Sequence, residues 1–318
     1  MKFTKMHGIG NNYVYVNCFE EKITHDMMGV ISEKVADKNF GIGADGAIFI
    51  CPSEEEGVDA EMRMYNADGS YGKMCGNGIR CVAKYLYDYA IVDKTEMTIV
   101  SGGAKKILTL FVKPENVGED AIGACGYKSE KKYSKRADGM VVDKVRVDMG
   151  EPIFAKEDIP AMLEDELLVD ITTPAGVKAQ AAVMYPYTVD GKDYKMTAVS
   201  VGNPHAVIFV DDVKGLDLEK IGPAFENHEI FPERVNTEFV KLIDRQNVEM
   251  RVYERGSGET LACGTGGTAV AVASILNGYT DNIVTVHLLG GDLTYEWDSK
   301  TNHMIMTGPA AYICEGDM

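Results

Sequence analysis

Two stretches of this chain repeat each other at a fixed offset of 188 residues. Glu61-Met62-Arg63-Met64-Tyr65 aligns with Glu249-Met250-Arg251-Val252-Tyr253. Ten residues beyond each tyrosine stands Cys-Gly-x-Gly, Cys75 to Gly78 and Cys263 to Gly266, and Val82-Ala83 then aligns with Val270-Ala271. Identities held in register over such a span mark a duplicated unit, each copy reading strand, loop, Cys-Gly-x-Gly, helix. The chain is thereby restricted to a fold that can be built twice. If the two copies face each other, two thiols meet across one cleft. A mirror-related pair of acid/base groups is what inverting a carbon centre requires.

The 318 residues suit about two domains. A chain of this size can bury roughly three quarters of its unfolded surface, so it needs no disulfide. Net charge is −17, which argues against nucleic acid and anionic membrane as partners, since both call for clustered Lys and Arg. The one basic cluster, Lys128 to Arg136, is interleaved with Glu130 and Tyr133 and reads as a solvated loop. The start, Met1 to His7, lacks an apolar signal segment, and the longest uncharged apolar run, near Ala269 to Leu276, is too short to span a bilayer. A cytoplasmic protein is expected. The seven cysteines include no Cys-x-x-Cys, so neither a disulfide framework nor a zinc site is expected, and no metal is.

Alternation predicts strands at Lys2 to Met6 and Tyr13 to Val16, with a loop between them. Helical spacing covers Asp26 to Asp37, and a glycine-rich loop, Phe40 to Gly46, leads to a strand at Ala47 to Ile50. After the strand Glu61 to Tyr65 a helix runs from Gly76 to about Tyr89, with Ile79, Val82, Ala83 and Leu86 on one stripe. Strands follow near Met97 to Val100 and Lys106 to Val112. Pro114 to Asp143 is polar and irregular, an insertion or a long hairpin. Asp190-Gly191 signals a tight hairpin, and Leu218 to Asn227 reads as helix. The second Cys-Gly-x-Gly helix, Gly264 to Asn277, ends at Gly278. It contains no charged residue, so it is expected to be buried on every side. The fold class expected is α+β: two pseudo-symmetric domains, each a barrel or roll of mostly antiparallel strands around a central helix. The first would cover 1–144, rejoined by the C-terminal strand 308–318, and the second 145–307.

Both repeat cysteines stand where a helix begins. Unsatisfied N–H groups and the helix dipole there favour a thiolate and bind anions. Two such ends converging on one carboxylate would leave its α-carbon between two sulfurs. One sulfur would remove the α-proton and the other would protonate the opposite face, with helix-end N–H groups stabilising the charge that develops. No cofactor is needed for that chemistry. Cys18, Cys51, Cys81, Cys125 and Cys314 read as small buried hydrophobes.

The chain resembles the diaminopimelate epimerases of the cofactor-independent two-cysteine racemase superfamily. The resemblance is carried by Lys5 to Asn12, Gly41 to Gly46, Asn66 to Ser70, Met74 to Cys81, Met149 to Pro152, Gly202 to His205, Phe231 to Asn236, Val252 to Gly256 and Gly258 to Gly266. It implies Cys75 and Cys263 as the catalytic pair. Gly76, Asn77, Gly264 and Thr265 would hold the reacting carboxylate through backbone N–H groups. Asn11, Asn66, Asn203, Asn236, Glu254 and Arg255 would hold the distal amino-acid end, and His205 and Glu254 would assist proton handling. It further implies diaminopimelate as substrate, a role in lysine and peptidoglycan-precursor synthesis, no pyridoxal phosphate, and a homodimer. Without it, Asn66 reads as a turn residue and His205 as a satisfied core histidine. The chain is longer than usual for that family, with extra residues around Pro114 to Asp143 and Tyr185 to Met196, and Gly46 stands where some members carry a glutamine. The competing readings are an epimerase of another amino acid, a hydrolase or transferase using Cys75 with His205, and a thiol redox sensor.

Overall fold

The computed structural model describes residues 1–115, 121–122, 127–128 and 132–318. Within the polar segment 114–143, Cys125 and the glycines at 118, 123 and 126 lie outside the described residues, as do residues 129–131 of the basic cluster. The chain forms two compact units, Met1–Val147 with Gly308–Met318, and Asp148–Thr307.

In chain order the first unit holds β1 (Lys2–Gly8), β2 (Asn11–Asn17), α1 (His25–Ala36), β3 (Gly46–Cys51), β4 (Ala60–Asn66), β5 (Tyr71–Gly72), α2 (Gly76–Asp88), β6 (Glu96–Ser101), β7 (Ala104–Pro114), the short pair β8 (Ala121–Ile122) and β9 (Tyr127–Lys128), and β10 (Met140–Gly150), which runs past the unit boundary. The second holds β11 (Val169–Thr172), β12 (Lys178–Ala181), β13 (Tyr185–Val189), β14 (Lys192–Ser200), β15 (Pro204–Phe209), α3 (Leu218–Glu226), β16 (Asn236–Leu242), β17 (Asn247–Glu254), β18 (Gly258–Thr260), α4 (Gly264–Leu276), β19 (Ile283–Leu288), β20 (Gly291–Trp297) and β21 (Met304–Pro309). The last strand, β22 (Ala311–Asp317), pairs antiparallel with β1 in the first unit.

The duplication seen in the residues is a duplication of strand pairing. The first unit pairs β22–β1–β2 antiparallel, β2–β3 parallel, β3–β4 antiparallel, β4 with β5 antiparallel and β6 parallel, then β6–β7–β10 antiparallel. The second repeats the order as β13–β14–β15, β15–β16, β16–β17, β17 with β18 and β19, then β19–β20–β21, with the same sense at every step. Even register is kept: Tyr65 faces Tyr71 as Tyr253 faces Glu259. Parallel neighbours need a crossover. α1 and α3 serve the first crossover of their units, α2 and α4 the second. The fold is α+β, two like halves built from a mostly antiparallel sheet with buried helices.

Asp190 and Gly191, both at positive φ (51° and 73°), make the two-residue turn between β13 and β14, as the Asp-Gly pair predicts. That hairpin, Tyr185 to Met196, is integral to the unit, since Tyr185, Tyr187, Val189 and Met196 lie in its core with Phe225, Phe231 and Phe239. α4 is buried as expected, packed on β14, β15, β16, β17, β19 and β20.

The stripe of α2, Ile79, Val82, Ala83 and Leu86, is buried as a central helix requires, and so are its other nine residues. Its charges are matched inside: Lys84 bonds Asp88 at 2.9 Å and the Val142 carbonyl at 2.6 Å, while Asp88 also accepts from the Val142 N–H and the Tyr312 hydroxyl. Buried charge is tolerated when paired in this way. The solvated loop expected at the basic cluster is corrected in part: Lys132 and Lys135 are exposed, while Tyr133 and Arg136 are partly packed. Tyr133 stacks on Tyr312 at 4.3 Å, and the Arg136 guanidinium lies 4.1 Å over the Tyr87 ring while gripping Asp138. Arginine and tyrosine bury their flat faces together at little cost to the charge. Among the described residues no helix is long and apolar enough to cross a membrane.

Candidate active site

The first cysteine is the N-cap of α2. Cys75 is extended (φ −138°, ψ 113°), and its sulfur accepts the Gly78 N–H at 3.3 Å. Serine, threonine or aspartate oxygen usually fills this position; here a sulfur does, and the helix end presents it. A Cβ on Gly78 would come within 2.5 Å of Ile48 Cδ1 and 3.5 Å of the sulfur, so glycine lets β3 approach the cap closely. Asn11, at the start of β2, lies beside the thiol. Its Oδ1 accepts from Cys75 Sγ at 3.3 Å and from Asn77 Nδ2 at 3.4 Å. Two charges orient these amides, one exposed and one buried. Asp45 accepts the Asn11 side-chain N–H at 2.9 Å and the Asn12 backbone N–H at 2.8 Å. Arg80, fully buried, donates to Asn77 Oδ1 at 2.8 Å and to the Gly76 carbonyl at 3.1 Å. With its oxygen held by Arg80, the Asn77 amide turns its nitrogen toward Asn11. Asn66 stands apart from this group, at the end of β4, donating to Ser70 Oγ at 3.0 Å.

The second cysteine repeats the geometry. Cys263 is extended (φ −127°, ψ 108°), caps α4, and its sulfur takes the Gly266 N–H at 3.3 Å. Asn203 holds the place of Asn11, one residue after a glycine at positive φ in each case. Its Nδ2 donates to Thr265 Oγ1 at 3.4 Å, and that hydroxyl lies 3.5 Å from the Cys263 sulfur. The partners behind Asn203 are different. His205 Nε2 lies 3.0 Å from Asn203 Oδ1, and its Nδ1 lies 2.7 Å from Glu238 Oε1. Glu254 ends β17 and accepts a hydrogen bond from the Thr260 hydroxyl. Asn236 is committed to the backbone at both ends, donating to the Pro204 carbonyl at 2.9 Å and accepting the Arg255 N–H at 3.0 Å. Arg255 sends its guanidinium to the Glu233 carbonyl at 3.0 Å. Thus Asn203, His205, Thr265 and Cys263 form one connected group, and Asn236 ties Arg255 to the start of β15.

The helix-end N–H groups pull both thiols toward the thiolate, as a cap position favours, but the net direction at each sulfur is upward. Burial pushes the Cys75 thiol up; the Gly78 N–H, Tyr13, Asn77 and Arg80 pull it down, but by less. Burial pushes Cys263 further up, and the neighbouring Glu254 and Glu238 carboxylates add to the effect. At both sulfurs the loss of water outweighs one helix end, which favours the thiol over the thiolate. Burial also raises Glu254, against the hydroxyl of Thr260, the Cys263 thiol and His205, which favour its charge.

Asp45, Arg80, Tyr13, Thr260 and Glu238 were not singled out in the sequence. Asp45 lies inside the glycine-rich loop and Thr260 inside the last motif, so both carried a signal. Glu238 lies two residues beyond the Phe231 to Asn236 motif and carried none.

The family described as diaminopimelate epimerase matches residues 3–120 and 197–313. A diaminopimelate epimerase of Agathobacter rectalis is 49% identical over 318 residues, covering 100% of this chain and 99% of that protein. One from Acetivibrio thermocellus is 45% identical, covering 100% and 98%. Among solved structures, a PhzF-family phenazine biosynthesis protein from Bacillus anthracis is similar with a TM-score of 0.64 at 14% identity, covering 100% of this chain and 98% of its own. A hydroxyproline epimerase from Agrobacterium vitis is similar with a TM-score of 0.60 at 12% identity, covering 99% and 90%. At such identities the two structures speak to the fold.

Proposed function

The chain belongs to the diaminopimelate epimerase family, which makes it an isomerase, and we propose that it interconverts LL- and meso-2,6-diaminopimelate with Cys75 and Cys263 as a two-base pair and no bound cofactor. The observation that carries the reading is the matched pair of cysteine caps, each sulfur presented by a helix end at the same place in a repeated strand order. One sulfur, as thiolate, takes the α-proton from one face of the substrate. The other, as thiol, delivers its proton to the opposite face. The carbon is inverted and the two sulfurs exchange roles, so atoms and charge balance. N–H groups at Gly76, Asn77, Gly264 and Thr265, in the first helical turns, take the reacting carboxylate as charge builds on it. Asn11, Asn66, Asn203, Asn236, Glu254 and Arg255 select the distal end: a carboxylate suits a guanidinium and amide donors, an ammonium suits a carboxylate and amide oxygens. Glu254 and His205 handle protons beside Cys263.

The raised thiols shape the first step. A thiolate must be produced once substrate is present, and the substrate ammonium and the helix-end N–H groups are the charges that can favour it. The same reading extends to a cytoplasmic homodimer supplying lysine and peptidoglycan-precursor synthesis. Incubation with LL-diaminopimelate in deuterated water, with reductant and no added cofactor, should yield the meso isomer labelled only at the inverted α-carbon. A requirement for pyridoxal phosphate or metal, or label elsewhere, would overturn the proposal. Light scattering on the purified protein checks the dimer.

A further inference from the structure

The second unit buries a carboxylate that the reaction above does not use. Glu238 projects from β16 and is fully buried. One oxygen meets His205 Nδ1 at 2.7 Å; the other has no hydrogen-bond partner. A buried carboxylate left half satisfied is costly, and hydrocarbon of similar volume often does as well or better for stability. The first unit shows the hydrocarbon solution. There Ile48 pairs with Tyr15 across the parallel β2–β3 contact, as Glu238 pairs with Val207 across β15–β16. A Cβ at Gly78 would meet Ile48, and one at the matching Gly266 would meet Glu238 Oε1 at 2.7 Å and the Cys263 sulfur at 3.2 Å. Tyr13 precedes Tyr15 by two residues, as His205 precedes Val207. The scaffold therefore closes around Ile48 in one unit, yet carries a histidine–carboxylate pair next to the cysteine in the other.

We propose that Glu238 is a positioning residue for the Cys263 half of the site, fixing the His205 ring so that Asn203 and Thr265 are held against the sulfur and its proton exchange is tuned. The contacts run Glu238 Oε1 to His205 Nδ1 (2.7 Å), His205 Nε2 to Asn203 Oδ1 (3.0 Å), Asn203 Nδ2 to Thr265 Oγ1 (3.4 Å) and Thr265 Oγ1 to Cys263 Sγ (3.5 Å). Both ring nitrogens face oxygen, Nδ1 toward the Glu238 carboxyl group and Nε2 toward the Asn203 side-chain amide, so the ring is held from both sides. A carboxylate that orients an imidazole from behind is a recurrent device of acid–base sites. The groups facing Cys263 are then Glu238 from β16, Glu254 from β17, His205 through Asn203 from β15, and Thr265 with the Gly266 N–H from α4. The inference rests on Cys263 being an acid–base group and adds a residue to it.

The test reads each thiol separately. Wild-type protein, Glu238→Gln and His205→Asn are alkylated with iodoacetamide across a pH series, and the Cys75 and Cys263 peptides are quantified by mass spectrometry. Glu238→Gln removes a negative neighbour and should move the Cys263 midpoint to lower pH. His205→Asn leaves the carboxylate charge without its partner and should move it higher. Cys75 should not move in either variant. With LL-diaminopimelate, Glu238→Gln should lower kcat by about tenfold or more while KM stays within about twofold. An unmoved Cys263 midpoint in the folded variants, or an equal shift at Cys75, overturns the proposal. If Glu238→Gln does not fold, the His205→Asn shift alone decides. The alkylation arm needs no substrate, so a wild type that fails to epimerise would overturn the reaction and not this role.

Discussion

Cys75 and Cys263 cap helices of thirteen residues in nearly the same conformation and receive the same N–H contact at 3.3 Å, but they keep different company. Around the first sulfur stand a tyrosine hydroxyl, two amides and, behind them, Asp45 and Arg80. Around the second stand two carboxylates, a histidine and a threonine. The difference teaches that duplicating a backbone does not duplicate its electrostatics. The cap and the glycine approach are properties of local geometry, and they survive in both halves. The polar neighbours arrive from other strands and are free to diverge. As a result, among the described residues, Cys263 has the Glu254 carboxylate beside it and is pushed up by the Glu254 and Glu238 charges as well as by burial, whereas no carboxylate adds to the rise at Cys75. Cys75 is raised by burial and lowered by neutral donors and by the Arg80 guanidinium.

The largest effect that could break this comparison comes from removing either sulfur. Cys75→Ser and Cys263→Ser should each lower epimerisation by about 10²- to 10⁴-fold while leaving the fold intact, since a hydroxyl is too weak an acid to replace a thiol. Each should still eliminate a leaving group placed next to the α-carbon, a reaction that needs one base. Full turnover in either variant would show that one half suffices.

Arg255→Lys comes next. A point charge cannot replace a planar fork, and kcat/KM should drop about ten- to several-hundredfold, read by steady-state kinetics. An effect within about twofold would remove Arg255 from the site.

The pH profile sharpens the comparison further. Both thiols are raised, so the thiolate share at neutral pH is small, and kcat/KM should climb from pH 7 toward pH 9 by up to about tenfold per unit. Glu254→Gln removes a negative neighbour of Cys263, so the limb belonging to that thiol should shift to lower pH while the maximal rate drops for want of the carboxylate. A profile that is flat from pH 6 to 9 would contradict raised thiols.

The smallest effect on chemistry should come from Gly267→Ala. A Cβ there would lie 2.2 Å from the Tyr295 hydroxyl, which donates to the Gly264 carbonyl at the start of α4. Overpacking of this kind costs about 1–3 kcal/mol, visible as a lowered Tm, with activity per folded molecule changed less than in the variants above.

The repeat, the two helix starts and the hairpin at Asp190-Gly191 could be read from residues alone, because each is written in a short contiguous stretch: a cap, a glycine, a turn pair. The family motifs likewise pointed to Cys75, Cys263, Asn11, Asn203, His205 and Glu254. Tertiary structure decided what those residues touch. Asp45 reaches Asn11 from 34 positions away, and Glu238 reaches His205 from 33. Burial of α2, charged residues included, depends on strands distant in the chain, so no periodicity within the helix could announce it. The direction in which the thiols shift depends on the same distant packing. A helix end favouring the thiolate is legible in a cap sequence. The exclusion of water that outweighs it, and the carboxylates beside Cys263, exist only once β15, β16, β17 and α4 have packed together.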